Sequence, residues 1–346
     1  MKKKILVVNS SNYVRNTSIN YHLKKKYNLK EIYYSGNFIL KNIKLLKIFF
    51  LKFDLVLINW NTWSSFFTIK FINLFKNRPI VYDAYTLIYE DYADSEIKKN
   101  FLFKFLYKNI EKFIFFNCNA IITDTSLHQK KIINLFKVKK KVLSLNVSQK
   151  NLKLSNKKIL SSKIQLVHAG ANRKLHNITK MIHLISKLPP NLREKIFFTI
   201  IGNDQFNKYQ RLITKLKCQK NIKVINHLKY NHYFKVIKNS DICIGLFGET
   251  EKSQNIISNF IVTSANLGKV IITKNTRAAK IYLNNNRGIF LLKKPENLNF
   301  IKFIKRYITS VKFRDNLKNK SKDVFVENFE IKKNYKKLDL FINKLL

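Results

Sequence analysis

Residues 241–273 of the chain read DICIGLFGETEKSQNIISNFIVTSANLGKVIIT. Two apolar runs in this stretch, 241–246 and 269–273, predict buried strands, and the polar residues 249–255 predict a loop. Ser258 and Gly268 mark the ends of a helix, because serine accepts hydrogen bonds from first-turn amides and glycine readily adopts the left-handed conformation that ends helices. The stretch therefore predicts one strand-loop-helix-strand unit.

The start of that helix is the first candidate binding site. A helix N-terminus carries unpaired N–H groups and a partial positive charge, and ligands of open α/β sheets bind beyond the carboxyl ends of the strands. Asn259, at the predicted helix start, would meet an anion together with the nearby backbone N–H groups. An ordinary strand-helix-strand unit without a ligand explains the same pattern equally well.

The length of the chain indicates its number of domains, and its net charge indicates which partners it can bind. The 346 residues exceed what one hydrophobic core usually holds, so two domains are expected. The 67 lysines and arginines outnumber 20 acidic residues, and the net charge of +47 favours nucleotide phosphates, anionic lipids or nucleic acid as partners. Nucleic acid is the last of these, because the charge is mostly lysine spread through every segment and no binding module is recognisable.

Cysteine usage and the lengths of apolar runs indicate the compartment. Cys118, Cys218 and Cys243 are odd in number and scattered, which is typical of a reducing compartment and of a chain without a cysteine metal site. The opening Met-Lys-Lys-Lys resembles a signal peptide, but the apolar run 5–8 is too short for one. No run reaches the roughly 18 apolar residues of a spanning helix. We expect a cytoplasmic protein.

Apolar runs alternate with helical patterns along the whole chain. They predict strands at 4–9, 31–34, 54–58, 79–83, 120–124, 142–145, 164–168, 196–201, 222–225, 241–246, 269–273 and 288–291. Repeated β-α units form parallel sheets, and the polar segment 147–163 is the expected linker. We predict an α/β protein of two Rossmann-like domains, 1–150 and 163–315, with helices at 316–346 packing back toward the first. The loop 10–17 contains no glycine, so the first domain is not expected to bind the nucleotide.

Two predicted helices carry narrow lysine stripes on otherwise apolar surfaces. The helix at 38–53 has lysines at 41, 44 and 47, and the helix at 98–116 has Lys104, Lys108 and Lys112 among phenylalanines. A broad apolar face edged by lysine suits a helix lying on a membrane surface, because lysine reaches anionic headgroups. A helix packed between the sheet and its neighbours, with a thin solvated edge, fits the same pattern.

Several segments together resemble GT-B glycosyltransferases of the family-4 type. The matching residues of the opening stretch are Asp241, Gly245, Phe247, Gly248, Lys252, Ile257, Asn259, Leu267, Gly268 and Lys269. Further similar segments lie at 82–91, 121–125, 168–177 and 202–204. The resemblance implies two Rossmann-like domains with parallel sheets facing across a cleft, and a nucleoside-diphosphate sugar bound by the C-terminal domain. It also implies retention of anomeric configuration and a lipid-linked or polysaccharide acceptor. A lipid-linked acceptor would place the enzyme on the inner face of the cytoplasmic membrane.

The sequence departs from that family at three positions. Phe260 replaces a lysine, Thr263 stands where the wider family has a ribose-binding carboxylate or glutamine, and Lys280 stands where a glutamate is frequent. These replacements imply either an altered donor or a pocket that no longer turns over. The second hypothesis is therefore a catalytically silent GT-B protein that binds a nucleotide-sugar or glycan as a partner subunit.

Transfer from a nucleoside diphosphate requires fixed positive groups around the leaving diphosphate. No Asp-x-Asp constellation stands out, so we expect no metal requirement and no cofactor besides the donor. Arg173 and Lys174 are the leading candidates, since arginine suits bidentate phosphate contact, and Lys252 is the third. All three also belong to a set of 67 basic residues, most of which are solvated. Gly170, which precedes the loop of Arg173 and Lys174, is also predicted to be a donor-binding residue.

The remaining candidates have weaker signals. Phe247 is carried over from the resemblance alone, Gly248 permits close backbone approach or makes a plain turn, and Glu249 holds sugar hydroxyls or is a solvated loop acid. His176 touches phosphate, or caps a helix, or lies on the surface. Asp83 and Tyr85, at a strand end of the first domain, contact the acceptor or transferred sugar, unless the aspartate caps a helix. Asp124, Thr125 and His128 are interpreted as a cap network, and no catalytic residue is assigned.

Overall fold

The computed structural model describes residues 2–9, 14–34, 38–95, 100–153, 162–170, 173–204, 207–226, 228–285 and 287–346, apart from the side chains of residues 38–40 and 230. The chain forms two compact units. The first comprises Met1–Ala93, Lys98–Lys150 and Glu330–Leu346, and the second comprises Asp94–Ile97 and Asn151–Phe329. The C-terminal segment of the first unit thus begins at Glu330, because the helices between 311 and 328 pack within the second unit.

The first unit is built on a six-stranded parallel sheet. Its strands are β1 Lys4–Asn9, β2 Asn28–Tyr33, β3 Leu55–Asn59, β4 Ile80–Ala84, β5 Ala120–Thr123 and β6 Lys141–Ser144. Their order is β2-β1-β3-β4-β5-β6, and every neighbouring pair is parallel. All residues of β3 and β4 are buried, as central strands covered by helices on both faces should be.

Helices cover both faces of this sheet. They are α1 Val14–Lys26, α2 Phe38–Leu46, α3 Ser65–Lys76, α4 Ile88–Asp94, α5 Phe101–Asn117, α6 Ser126–Phe136 and the C-terminal α17 Ile331–Asn343, with 3-10 turns at Lys47–Phe50 and Trp60–Thr62. On one face, Leu23 of α1 and Leu338 of α17 pack on β1 and β3. On the other face, Ile69, Phe115 and Ile132 anchor α3, α5 and α6.

The second unit repeats the plan. Its strands are β7 Ile164–Ala169, β8 Ile196–Ile201, β9 Ile222–Ile225, β10 Ile242–Ile244, β11 Val270–Lys274 and β12 Ile289–Leu292, in the order β12-β11-β10-β7-β8-β9. Its helices are α7 Ile178–Ser186, α8 Pro190–Arg193, α9 Lys208–Lys215, α10 Tyr230–Asn239, α11 Glu251–Asn255, α12 Asn259–Asn266, α13 Arg277–Tyr282, α14 Glu296–Thr309, α15 Val311–Leu317 and α16 Ser321–Asn328. The strand order is that of the dinucleotide-binding Rossmann fold.

The predicted α/β class is confirmed, and each predicted strand is present within three residues of its expected start. Three local predictions were wrong. The loop at 249–255 contains α11, because the Thr250 side chain accepts a hydrogen bond from Ser253 N and begins a helix. The loop at 10–17 includes the first turns of α1, which begins at Val14, while residues 10–13 lie outside the described part of the chain. The helix at 38–53 divides into α2 and a 3-10 turn.

No helix in the described part of the chain is both long enough and apolar enough to cross a membrane.

Candidate functional site

The candidate site lies where the strand order of the second sheet reverses. β7 and β10 are hydrogen-bonded neighbours, but the chain leaves β7 toward β8 on one side and leaves β10 toward β11 on the other. Loops that follow such strands diverge and leave a crevice at their carboxyl ends, where open α/β sheets bind ligands. All nine predicted donor-binding residues lie in the segments that follow these two strands, from Gly170 to His176 and from Phe247 to Asn259.

Gly170, directly after β7, makes room for a protein side chain. A Cβ placed on Gly170 would lie 2.2 Å from Cε1 of the His176 ring. A Cβ on Gly202, after β8, would lie 2.4 Å from the carbonyl oxygen of Gly170. Both distances are far inside van der Waals contact. The glycine at 170 is therefore required by the imidazole that covers it.

His176 is a packing residue and carries no positive charge. Its side chain is buried, and its ring lies edge-to-face with His168 at a centroid distance of 5.0 Å. Burial lowers the pKa of His176 well below its ordinary value, with smaller contributions from His168, Lys252 and Arg173. Burial also lowers the pKa of His168 to about 4. The predicted surface role of His176 is wrong because the side chain is buried, and the predicted cap is wrong because Asn177 caps α7 by accepting from Lys180 N. The neutral ring shapes the turn beside β7.

Gly248 joins the two loops of the site. Its N–H donates to the carbonyl of Leu175 at 2.9 Å, and a Cβ on it would lie 2.5 Å from Leu175 Cα. The N–H of Phe247 donates to the carbonyl of His176 at 3.3 Å. The side chain of Phe247 is fully buried in the hydrophobic core, so its predicted contact with a donor is wrong for the ring. These close backbone contacts fix the 174–176 turn against the end of β10.

Two of the three predicted cations converge near a buried carboxylate. Asp94, whose contacts place it in the second unit, accepts a hydrogen bond from Thr250 Oγ1 at 2.9 Å, and its own carbonyl accepts one from Lys174 N at 3.1 Å. Burial raises the pKa of Asp94, while the Thr250 hydrogen bond and the charges of Lys252 and Arg173 oppose that rise. Lys252 is buried, Arg173 is half-buried and Lys174 is exposed. Lys252 and Arg173 therefore act on an internal acidic side chain, whereas Lys174 contacts Asp94 through its backbone N–H.

A second charged cluster holds Glu249, which is more than a solvated loop acid. Its carboxylate accepts from Lys274 Nζ at 2.6 Å and lies 3.5 Å from Lys180 Nζ. The hydrogen bond from Lys274 and the nearby lysine charges lower the pKa of Glu249. The buried Glu296 completes the cluster, since its carboxylate lies 2.6 Å from Lys180 Nζ and 3.5 Å from Lys274 Nζ. Glu249 keeps a side-chain exposure of 58%, so it remains accessible to a ligand.

The start of α12 has the predicted capping geometry. The Ser258 side chain accepts from Ile261 N, and Asn259 Oδ1 is buried without a hydrogen-bond partner among the described residues. Phe260 and Thr263, two of the positions that depart from the family pattern, make contacts within the protein. Phe260 is buried with its ring 5.6 Å from that of His168, and Thr263 Oγ1 donates to the carbonyl of Asn259 at 2.9 Å.

The predicted acceptor residues of the first unit are occupied by a buried arginine. Arg15 binds the carboxylate of Asp83 through Nε at 2.8 Å and through Nη2 at 2.7 Å, and neither residue is exposed. The Arg15 guanidinium also lies 5.2 Å from the centre of the Tyr85 ring. Asp83 is thus a structural partner that holds α1 to β4 and not an open acceptor contact, whereas Tyr85 remains half-buried.

The network around His128 has the structural character that the sequence indicated. Thr125 caps α6 by accepting from His128 N at 3.2 Å. The His128 ring lies between Asp124, 2.6 Å from Nδ1, and Glu90, 3.3 Å from Nε2. All these side chains are buried. Among the residues that the structure describes, no three histidine, cysteine or acidic side chains come together as metal ligands.

Comparisons with known proteins identify the fold. No protein-family model and no curated protein matches the chain. Solved structures do: HepE of Anabaena in complex with UDP has a TM-score of 0.71 at 11% identity over 100% of both chains. Sucrose-phosphate synthase from Thermosynechococcus elongatus has a TM-score of 0.78 at 9% identity over 99% of both chains. A glycosyltransferase from Rickettsia africae has a TM-score of 0.66 at 16% identity over 99% of this chain and 98% of its own. The fold is GT-B.

Sequence reasoning missed two charged residues of the candidate site. Asp94 lies 156 positions from Thr250 in sequence, so only the fold brings it to Arg173 and Lys252. Glu296, at the start of α14 and directly after Pro295, belongs to no recognisable motif. For Asp94 the sequence carries no signal beyond an acidic residue in a basic chain.

Proposed function

We propose that the chain is a glycosyltransferase that moves a sugar from a nucleoside diphosphate to a lipid-linked or glycan acceptor. The observation that carries the proposal is that Arg173 and Lys252 lie on the two segments that follow β7 and β10, where the GT-B sheet of the second unit reverses its strand order, and that both act on Asp94. Support comes from the neighbour HepE, whose structures contain UDP and UDP-glucose. A lipid-linked acceptor would place the enzyme at the inner face of the cytoplasmic membrane.

In the proposed reaction the bond between the sugar C1 and the diphosphate oxygen breaks, and both electrons remain on the diphosphate. An acceptor hydroxyl forms the new bond to C1 and loses its proton. Arg173, Lys174 and Lys252 would stabilise the charge that develops on the diphosphate, without a metal ion, because cations that the fold already holds in place need little reorganisation. The first N–H groups of α12, with Asn259, would add partial positive charge. We propose retention of configuration on the resemblance alone.

The other donor contacts follow from exposure. Glu249, held by Lys274 yet still exposed, would accept hydrogen bonds from sugar hydroxyls. Gly170, Phe247 and Gly248 would act through backbone atoms and loop shape, because their Cβ positions or ring are occupied by protein contacts. Tyr85, the half-buried member of the predicted acceptor pair, would remain available to an acceptor.

The first test measures nucleoside-diphosphate affinity. Replacing Arg173 and Lys174 by alanine should weaken binding tenfold or more, equivalent to at least about 1.4 kcal/mol. The matched control replaces Arg211 and Lys215, an exposed arginine and lysine of α9, and removes the same charge elsewhere in the unit. Affinity that is equal in both variants would reject these residues as diphosphate ligands. The donor class is found first by thermal shift with UDP, GDP and CDP, where ligand at one hundred times Kd adds about 2.7 kcal/mol.

A second candidate function is a catalytically silent GT-B protein that binds a nucleotide-sugar or glycan as a partner subunit. It is favoured by Phe260 and Thr263, which leave no carboxylate at the helix that would contact the ribose. Labelled donors of the identified base separate the two candidates. Transfer or slow donor hydrolysis supports the enzyme, and tight binding without any turnover across a range of acceptors supports the silent subunit.

A further inference from the structure

The exposed phenylalanines of the chain lie in one part of the first unit. Among the residues that the structure describes, nine phenylalanines are exposed, and all of them fall between Phe50 and Phe116. Their exposed fractions reach 89% at Phe50 and 79% at Phe101. Single exposed apolar residues are ordinary, but such a concentration marks a surface that is covered by a partner or a membrane.

The helices that carry these residues are neighbours on one face of the first sheet. Phe67 of α3 stacks on Phe113 of α5 with ring centres 5.5 Å apart, and Lys70 Nζ donates to the carbonyl of Asn117 at 3.3 Å. The 3-10 turn after α2 joins them through Phe49, whose ring centre lies 5.5 Å from that of Phe75. We call this continuous surface the α3–α5 face; it consists of the exposed residues of α3, α5 and the turn at Lys47–Phe50.

The first turns of α5 are exposed on every side. All six residues from Phe101 to Leu106 are exposed, and five of them are phenylalanine or leucine. Asn100 caps the helix by accepting from Leu102 N, so the segment is a defined helix. On α3, the exposed residues Phe67, Phe71 and Phe75 recur every fourth position and form a single outward stripe.

The exposed charge on this face is entirely positive. The two helices and the turn contain several lysines and one acidic residue, Glu111. Glu111 is fully buried, and its carboxylate accepts from Ile88 N at 2.6 Å to begin α4. Lys104, Lys108 and Lys112, all exposed, follow one another at intervals of four along α5. The face therefore combines aromatic surface with unopposed lysine, which complements an apolar phase bordered by anionic headgroups.

We propose that the α3–α5 face docks on an anionic lipid bilayer, with the first turns of α5 and the α3 phenylalanines inserted at the headgroup boundary and the α5 lysines on the lipid phosphates. A second copy of the chain fits less well, because a two-fold interface would bring the same lysine-bearing surface against itself. Where it concerns a lipid-linked acceptor, the proposal rests on the proposed function. The docking itself does not require transferase activity.

The test is co-sedimentation of the full chain with vesicles made of equal parts of phosphatidylglycerol and phosphatidylcholine, without nucleotide. The reference is pure phosphatidylcholine. Two variants probe the face, K104Q/K108Q/K112Q and F101Q/F105Q. Loss of three lysine contacts should weaken partitioning on the order of a hundredfold at low salt. Loss of two exposed rings should weaken partitioning at least tenfold. This loss should persist at high salt, because salt does not screen the insertion of apolar side chains.

Matched controls make the same kinds of substitution at exposed positions outside the α3–α5 face. K332Q/K333Q/K336Q removes three exposed lysines from α17, which covers the opposite face of the same sheet. L298Q/L340Q removes two exposed apolar side chains outside the face. All the replaced side chains are exposed, so every variant should keep the parent melting temperature. Both controls should bind vesicles like the parent chain.

Three results would overturn the proposal. The first is a parent chain that does not bind the anionic vesicles. The second is equal loss in the α17 lysine variant, which would show that overall charge and not this face carries binding. The third is a parent chain that forms a dimer, if the F101Q/F105Q substitutions dissociate this dimer and vesicles do not. That result would assign the face to contact with a second copy of the chain. Because no nucleotide is present, none of these results depends on donor binding or on turnover.

Discussion

The pairing of Gly170 with His176 allows a prediction in which one damaging substitution is rescued by another. Alanine at position 170 would place Cβ 2.2 Å from the imidazole, more than an ångström inside ordinary contact. Overpacking of this kind costs about 1–3 kcal/mol. For a domain of this size, each kcal/mol lowers Tm by about 2–4 °C, so G170A should lower the transition of the second unit by about 2–12 °C.

The ring, and not the backbone, is the obstacle, so removing the ring should remove the cost. H176A alone leaves a cavity and is itself destabilising. In the H176A background, however, G170A should cost almost nothing, which corresponds to a coupling of about 1–3 kcal/mol between the two sites. G202A is the control, because its Cβ would meet the carbonyl oxygen of Gly170 at 2.4 Å, an obstacle that H176A leaves in place.

The assay is thermal and urea unfolding of the four members of the cycle and of G202A with and without H176A. Two transitions are fitted if the units unfold separately, since a single free energy is not defined for such chains. An equal cost of G170A in the parent and in H176A would refute the assignment of His176 as the residue that requires glycine. Rescue of G202A by H176A would refute the distinction between ring and backbone contacts.

The other predictions concern the buried charges of the first unit. R15A should destabilise the unit by about 3–5 kcal/mol, because it leaves the Asp83 carboxylate buried without its partner; urea unfolding checks this, and a loss below 1 kcal/mol would contradict it. Burial lowers the pKa of His128, but Asp124 and Glu90 outweigh burial and raise it to about 9. The folded value exceeds the usual unfolded value of about 6.5, so this stabilisation is complete below pH 6.5 and is lost as pH rises through 9; H128Q should flatten the stability profile across that window. Burial raises the pKa of Glu111 to about 8, so stability falls as pH rises from about 4.5 through 8, and E111Q should remove that fall.

The sequence predicted the fold well because the spacing of apolar residues and the polar breaks between apolar runs are local properties of the chain. Runs such as 196–201 and 222–225 became strands with the predicted ends, since apolar β-branched residues between polar breaks have few alternatives. The helix α11 was missed because 249–255 contains one short, polar turn of helix whose only signal is the cap at Thr250. The local pattern of apolar and polar residues thus predicts the strands and the longer helices, but it does not distinguish a short polar helix from a loop.

Site residues were harder to predict because their partners are distant in sequence. Asp83 lies at the end of a strand, where ligand contacts are expected, but its carboxylate accepts hydrogen bonds from Arg15, 68 residues away in sequence. Asp94 gave no signal, yet its side chain interacts electrostatically with Lys252 and Arg173. A loop arginine and an end-of-strand aspartate can be picked out from their spacing, but whether each faces a ligand or an internal counter-charge depends on which distant element packs over it.

The glycines show how the loops of the candidate site are made rigid in a chain that uses few of them. Only seven glycines occur in the whole sequence, and four of these follow strands of the second sheet. Each of the four has a protein atom within 3 Å of where a Cβ would stand. Two of these contacts join loop backbones: a Cβ on Gly202 would meet the Gly170 carbonyl oxygen, and the Gly248 N–H donates to the Leu175 carbonyl. The proposed role of Arg173 requires such packing, because electrostatic stabilisation of a leaving diphosphate relies on groups that are held in place before the ligand arrives.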